Sequence, residues 1–144
     1  MISTVAVGTD GSETAAIAVA AALDLAERFE ATLVVLSAYT GQPGGSSMPR
    51  LSGASSDSQW ASNSAQQAER ILVDVQERAS GRGIECKSDL AQGDPGEVLV
   101  HLAERHAADV LVVGNKGMHR RVLGSVPNTV THKASCSVYV VKTT

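Results

Sequence analysis

Short apolar runs rich in β-branched residues alternate along the chain with longer segments of helical periodicity. The runs are nearly continuous in apolar residues, as in parallel strands that are covered on both faces. Strands separated by helical crossovers build a parallel sheet with helices on both sides. We therefore predict one α/β domain over 1–144, an open, doubly wound, five-stranded parallel sheet in a flavodoxin- or Rossmann-like three-layer sandwich. The predicted strands are 3–8, 31–39, 84–91, 109–114 and 137–142.

Helical periodicity follows each of the first four strands. In the first such segment, 14–29, an apolar stripe predicts the face that packs on the sheet: Ile17, Ala20, Ala21, Leu25 and Phe29. Ser12 is predicted to cap this helix. Asp94 followed by Pro95 predicts the start of a later helix that ends near His106. The other two helices are predicted over 65–80 and 125–134.

The segment between the second strand and the second helix has a different composition. Residues 41–68 hold eight Ser, four Gly and two of the four Pro. Connections in compact domains are usually much shorter, and long ones are either mobile or functional lids. We predict a flexible loop over about 41–64.

Composition excludes several classes of protein. No apolar run approaches the roughly 20 residues that a membrane span needs. The first residues lack the basic region of a signal peptide, so we expect a cytoplasmic protein. Aromatic residues make up only 3% of the chain, which argues against a nucleic-acid stacking surface. The two cysteines have no CxxC spacing, so neither a metal site nor a disulfide framework is expected.

The formal net charge of −3 hides an uneven distribution. All 15 acidic residues lie within 10–109, and that stretch has a net charge of −8. Residues 110–144 hold five basic residues and no acid, a net charge of +5. This C-terminal quarter is a candidate anion-binding region, with Lys116, Arg120 and Arg121 as candidate phosphate-side charges.

The glycines of this quarter form a motif that differs from common phosphate signatures. Neither GxxxxGK[ST] nor GxGxxG after the first strand occurs. Instead, Gly114 ends a buried strand, Gly117 follows three residues later, and Gly124-Ser125 opens a helix. Glycine lets the backbone approach a ligand, and the N–H groups at a helix N-terminus favour an anion. The sequence therefore predicts a phosphate site there, with Pro127 removing one backbone donor.

The predicted sheet brings Asp10 close to this motif. Ligands of open parallel sheets bind beyond the carboxyl ends of strands, where the strand order reverses. With a flavodoxin-like order, the reversal lies between the first strand and the strand that ends at Gly114. Asp10 then suits a ribose hydroxyl, and its alternative role is to cap the turn that it begins.

Taken together, the segments VAVGTDGS, VLSAY, DVLVVGN and GxxG…GSVPNTV resemble the universal stress protein family over essentially the whole chain. The resemblance implies strand order 3-2-1-4-5, an adenine-nucleotide site, and a homodimer formed through the last strand, 137–142. It also implies these ligand contacts: Gly8, Thr9, Asp10, Ala38, Val113, Gly114, Asn115, Gly117, Gly124, Ser125 and Val126. The sequence departs from the family in one respect. Six residues, 118–123, separate Gly117 from Gly124, where the family motif usually has nine, so fewer phosphate contacts are expected.

These observations lead to one functional hypothesis and three alternatives. The hypothesis is a cytoplasmic sensor or regulator of the stress response that binds an adenine nucleotide. ATP is the first candidate, and any Mg²⁺ is expected to bind only through the nucleotide. No pair of metal-binding carboxylates is evident, so an efficient phosphoryl-transfer enzyme is not expected. The alternatives are a cyclic-AMP-binding variant, a weak Mg²⁺-dependent ATPase, and a dimeric interaction module without a ligand. Neither nucleic acid nor a membrane is an expected partner.

Overall fold

The computed structural model describes residues 1–40, 63–115 and 123–143. Strands and helices alternate along these ranges, as the sequence predicts. The strands are β1 (Thr4–Gly8), β2 (Thr32–Tyr39), β3 (Cys86–Gln92), β4 (Val110–Gly114) and β5 (Ser137–Val141). The helices are α1 (Glu13–Phe29), α2 (Ala65–Gly81), α3 (Pro95–Arg105) and α4 (Ser125–Lys133). The flexible loop predicted over 41–64 lies outside the described residues up to position 62.

The five strands form one all-parallel sheet in the order β3-β2-β1-β4-β5, which confirms the fold prediction. β1 lies at the centre, with Val7 opposite Val35 of β2 and Val112 of β4. The chain builds outward from β1 through β2 to β3, and then returns to the other side of β1 with β4. The strand order therefore reverses between β1 and β4.

The core lies in two layers, one on each face of the sheet. α1 and α2 cover one face, with Leu23 and Leu72 packed among the strands. α3 and α4 cover the other face, with Leu99 and Val130 in that layer. Burial on both faces explains why the central strands carry almost no polar residues.

The predicted inward face of α1 is only partly correct, since Ala21 and Leu25 pack against the core layer but Ile17 and Phe29 do not. Ile17 and Phe29 are each 44% exposed, whereas the sheet buries a different set: Ala15, Ala18, Val19, Ala22, Leu23 and Ala26. The reason is the composition of the helix, which is apolar on more than one side, so the larger residues suggest the wrong stripe. Small residues on both sides of the contact let α1 approach the sheet closely. A Cβ on Gly114 of β4 would lie 3.2 Å from the Thr14 carbonyl oxygen and 3.6 Å from the Ala18 Cβ.

The helix caps agree with the sequence. The Ser12 side chain accepts a hydrogen bond from the Ala15 N–H, and Asp94 does the same for Glu97. Pro95 stands in the first turn of α3. Among the described residues, no helix is long and apolar enough to cross a membrane.

Candidate functional site

The carboxyl ends of β1 and β4 lie side by side at the point where the strand order reverses. Thr9 and Asp10 follow β1, and Asn115 follows β4. All three are polar, and each is at most 2% exposed. Buried polar residues at this edge of a parallel sheet mark the place where such folds bind ligands.

Hydrogen bonds hold the loop after β1 in a fixed shape. Asp10 Oδ1 accepts from the Ser12 N–H at 2.9 Å, and Thr9 Oγ1 accepts from the Gly11 N–H at 3.1 Å. The Ser37 hydroxyl donates to the Thr9 carbonyl at 2.8 Å, which ties the loop to β2. Gly11 has a φ of +83°, a conformation that favours glycine. Asp10 therefore does cap its turn, and one of its carboxylate oxygens is used in doing so.

Sequence reasoning missed Asn63, which supports the same loop. Its side-chain Nδ2 donates to the Asp10 carbonyl oxygen at 3.0 Å, and its carbonyl accepts from the Thr40 N–H at 3.3 Å. The side chain is 2% exposed, although it immediately precedes the polar cap of α2. A lone Asn at the end of a Ser-rich segment gives no periodic signal, so only the fold reveals its role.

Asn115 joins the end of β4 to the start of α4. Its Oδ1 accepts from the Gly124 N–H at 3.0 Å, and the whole residue is completely buried. Among the described residues, its Nδ2 has no hydrogen-bond partner. A buried donor without an acceptor costs about 1–3 kcal/mol, so this atom calls for an acceptor beyond the described residues.

The N-terminus of α4 differs from those of the other described helices. Ser12, Ser64 and Asp94 cap α1, α2 and α3 with their side chains, whereas Gly124 has none and makes no such bond. The first N–H groups of α4, at Ser125 and Val126, thus keep their affinity for an anion. Pro127, also in the first turn, offers no donor.

The packing of α3 on α4 fixes the position of this helix end. Gly96 lies against Thr129, and a Cβ on Gly96 would come within 2.7 Å of the Thr129 Cβ. Lys133 pairs with Glu97, which raises the pKa of the lysine. The contact gives α4 little freedom to shift relative to α3.

The remaining predicted contacts fall into three groups. Ala38 and Val113 are buried in the core layer under α3, so only their backbones can face a ligand. Gly8 is required for packing, because a Cβ there would lie 2.5 Å from Leu99 Cδ1. The other predicted site residues lie outside the described ranges: Lys116, Gly117, Arg120 and Arg121.

The sequence matches the universal stress protein family over residues 1–142. This chain belongs to that family. It is 37% identical over 145 residues to the universal stress protein Rv1636 of Mycobacterium tuberculosis, covering 98% of this chain and 97% of the relative. The universal stress protein MJ0531 of Methanocaldococcus jannaschii is 28% identical, with 96% and 81% covered.

Solved structures of universal stress proteins share the fold. One that was crystallised in complex with cAMP is 34% identical, has a TM-score of 0.74, and is matched over 99% of both chains. The crystal structure of Rv1636 is 35% identical with a TM-score of 0.59, matched over 99% of this chain and 97% of that one. The universal stress protein UspA of Lactobacillus plantarum, 22% identical with a TM-score of 0.74 and 97% of both chains covered, shows the fold alone.

Other reactive side chains of this universal stress protein lie away from the crevice between β1 and β4. Both cysteines are free and half-buried, and burial raises the pKa of the Cys86 thiol to about 11. His106 Nε2 lies 2.8 Å from Asp89 Oδ2, joining the end of α3 to β3. Within the described ranges, no group of three His, Cys, Asp or Glu residues could hold a metal ion.

Proposed function

We propose that this universal stress protein binds an adenine nucleotide in the crevice between the carboxyl ends of β1 and β4, and acts as a sensor or regulator. The observation that carries the proposal is the buried Asn115 carboxamide. Its Nδ2 lacks a partner among the described residues, and its Oδ1 accepts from the N–H of Gly124, next to the first N–H groups of α4, which have no side-chain cap from Gly124. A ligand with strong acceptor atoms would satisfy both features at once.

A phosphate group has the chemistry that this end of the site needs. It would accept from Asn115 Nδ2 and from the N–H groups of Ser125 and Val126, with the Ser125 hydroxyl as a further donor. The positive end of the α4 dipole adds attraction for a negative charge. In this proposal Gly117 permits a close backbone approach, and Lys116, Arg120 and Arg121 supply charge on the phosphate side.

The opposite wall suits a nucleoside. Asp10 Oδ1 is held by Ser12, and Asp10 Oδ2 accepts no hydrogen bond from a described residue, so we assign it to a ribose hydroxyl. The backbone of Ala38, at the end of β2, is proposed to meet the adenine. Gly8 and Thr9 complete this wall, while Val113 and Gly114 lead into the phosphate loop.

ATP is the first candidate within the adenine class, and cyclic AMP is the second. The spacing of six residues between Gly117 and Gly124, together with Pro127, reduces the number of backbone donors. A single cyclic phosphate requires fewer donors than a triphosphate. The 34% identical universal stress protein solved with cAMP also supports this second candidate.

Isothermal titration with ATP, AMP and cyclic AMP, each with and without Mg²⁺, tests the proposal. Heat of binding with at least one of them is expected, and Gly124→Asp should abolish it because a carboxylate would occupy the phosphate position. Gly81→Asp is the matched control, since a Cβ at Gly81 meets nothing within 4 Å. Absence of heat with all three nucleotides at millimolar concentration would contradict the proposal and favour the interaction module without a ligand.

Two further measurements define the activity. Mass spectrometry of the ligand released from freshly purified protein identifies the nucleotide. Hydrolysis is proposed to be weak at most; Mg²⁺-dependent phosphate release that disappears in Asp10→Ala would instead favour the ATPase alternative.

We also propose a cytoplasmic homodimer that pairs through the last strand, 137–142. β5 (Ser137–Val141) is an edge strand without a charged residue, with Lys142 directly after it, and Tyr139 at its centre is 43% exposed. Such an edge exposes unpaired backbone groups and is prone to pair with another chain. Light scattering should give the mass of two copies for the wild type and one for Tyr139→Lys, and a wild-type monomer at micromolar concentration would contradict the proposal.

A further inference from the structure

Three different segments hold the atoms of Asn115. Its backbone N–H donates to the Val141 carbonyl at 3.2 Å, and its carbonyl accepts from the Thr143 hydroxyl at 2.8 Å. Its side-chain Oδ1 accepts from the Gly124 N–H at 3.0 Å. The residue therefore connects the end of β5, the segment that follows it, and the start of α4.

We propose that Thr143 is a positioning residue for the nucleotide site, acting through Asn115. This inference rests on the proposed function, because it concerns the affinity of the same crevice. The Thr143 hydroxyl and the Val141 carbonyl hold the two backbone polar groups of Asn115. With its backbone fixed at both ends, Asn115 directs its carboxamide toward α4 and presents Nδ2 to the ligand.

The packing around Thr143 supports this role. A Cβ on Gly114 would lie 3.4 Å from Thr143 Cγ2, so the methyl group rests on the backbone just before Asn115. The hydroxyl thus donates from a side chain that is itself packed in place. Losing this bond leaves the Asn115 carbonyl without its donor and loosens the residue that caps Gly124.

The connection works in both directions. A ligand that engages Asn115 Nδ2 would restrain the Asn115 peptide, and with it the hydrogen bond to Val141. Coupling free energies between two sites are reciprocal. Nucleotide binding should therefore slow amide exchange at Asn115 and at the end of β5.

The test compares Thr143→Val, Thr143→Ser and wild type by nucleotide titration and hydrogen exchange. Valine keeps the shape and the methyl group but removes the donor, whereas serine keeps the donor. Thr131→Val is the matched control, because the Thr131 hydroxyl also donates to a backbone carbonyl, that of Asn128, at 3.0 Å. Circular dichroism and the melting temperature verify folding.

We expect Thr143→Val to weaken binding of ATP or cyclic AMP by about three- to tenfold, the equivalent of one neutral hydrogen bond. Thr143→Ser should stay within about twofold of wild type, as should Thr131→Val. Equal affinity in Thr143→Val and wild type would overturn the inference while leaving the proposed function intact. If wild type binds no nucleotide, the proposed function fails and the inference fails with it.

Amide hydrogen exchange of the wild-type protein, with and without nucleotide, gives a test that does not depend on the folding of a variant. If nucleotide binding slows exchange at the start of α4 but leaves Asn115 and residues 139–143 unchanged, Thr143 serves only to anchor the end of the chain. That result would overturn the inference even if Thr143→Val failed to fold.

Discussion

Asn63 and Asp10 are 53 positions apart in sequence, and the Asn63 Nδ2 donates to the Asp10 carbonyl oxygen at 3.0 Å. The bond crosses from the residue before the α2 cap to the loop after β1. It is one of the hydrogen bonds that give the loop after β1 a defined shape. The geometry of Asp10 thus depends on a residue that lies at the end of the long Ser- and Gly-rich segment.

Replacing Asn63 should therefore affect both stability and binding. Asn63→Ala leaves the Asp10 carbonyl without its donor, and we expect a loss of about 1–3 kcal/mol in the free energy of unfolding. Nucleotide affinity should fall as well, since the Asp10 turn loses a support. Chemical denaturation and titration measure the two effects. Gln66→Ala, which removes an exposed carboxamide on α2, is the control and should change neither stability nor affinity. Unchanged nucleotide affinity in a stably folded Asn63→Ala would refute the link between Asn63 and binding.

A substitution at Asn115 can remove the unpaired donor Nδ2 and still keep an oxygen in the place of the acceptor Oδ1. Asn115→Asp keeps an oxygen for the Gly124 N–H, but it replaces Nδ2 with a second acceptor that repels a phosphate. Hydrogen bonds to charged groups contribute about 1.5–3 kcal/mol, so the dissociation constant should rise at least tenfold. Titration at pH 8 keeps the introduced carboxyl ionised against the effect of burial. Binding as tight as in wild type would show that Nδ2 faces no phosphate.

The contact between α3 and α4 should tolerate no added methyl group at Gly96. Gly96→Ala places a Cβ within 2.7 Å of Thr129, and overpacking of this kind costs about 1–3 kcal/mol of the free energy of unfolding. Gly81→Ala is the control, because its Cβ meets no atom and the same change there should be neutral or stabilising. Urea denaturation measures the free energy of unfolding of both variants. Equal values for Gly96→Ala and Gly81→Ala would mean that α4 can move aside.

Asp109 should make stability depend on pH in the acidic range. Its Oδ2 accepts from the backbone N–H groups of Ser3 and Thr4 at 2.8 and 2.9 Å, and these bonds lower the pKa of the carboxyl. A carboxyl with a lowered folded-state pKa stabilises the fold above its unfolded pKa of about 3.9, and the effect is lost as pH falls through the folded pKa.

Asp109→Asn should therefore unfold at lower urea concentration than wild type at pH 7. The difference should begin to shrink below about pH 4, where the unfolded-state carboxyl takes up a proton, and should vanish as pH falls through the lower folded-state pKa. A difference that stayed constant from pH 7 to pH 2 would show that the charge of Asp109 contributes nothing. Asp74→Asn, which changes an exposed carboxyl on α2, is the matched control and should differ little from wild type at pH 7.

The sequence predicts the parallel sheet, its five strands and the helix caps Ser12 and Asp94, because each depends on a local pattern. Strand β4 is a continuous apolar run, and Asp94-Pro95 is a helix start with a known physical cause. The predicted face of α1 is only partly correct for a related reason. Ala-rich helices have apolar residues on several sides, and only packing on the sheet selects Ala18 and Ala22 over Ile17 and Phe29.

Some residues of the candidate site can likewise be found from the sequence, whereas others are revealed only by the fold. Asp10 can be found from the sequence because it lies in the turn just after the first predicted strand, and Asn115 because the family resemblance assigns a ligand contact to that position. Asn63 cannot, since its partner is distant and its neighbours give no periodicity. The packing role of Gly8 against Leu99 is equally invisible, because a glycine at the end of a strand suggests a ligand as readily as a crowded neighbour.

The two edges of the sheet have consequences for how this protein assembles. β3 carries Lys87 and Asp89 on one edge, whereas β5 on the other edge has no charged residue. Charged side chains block the addition of further strands. If two copies join through β5, each uses its uncharged edge and presents only β3 to the solvent. A contact made by the same surface on both partners closes on itself, so growth stops at two subunits and cannot continue into a fibre.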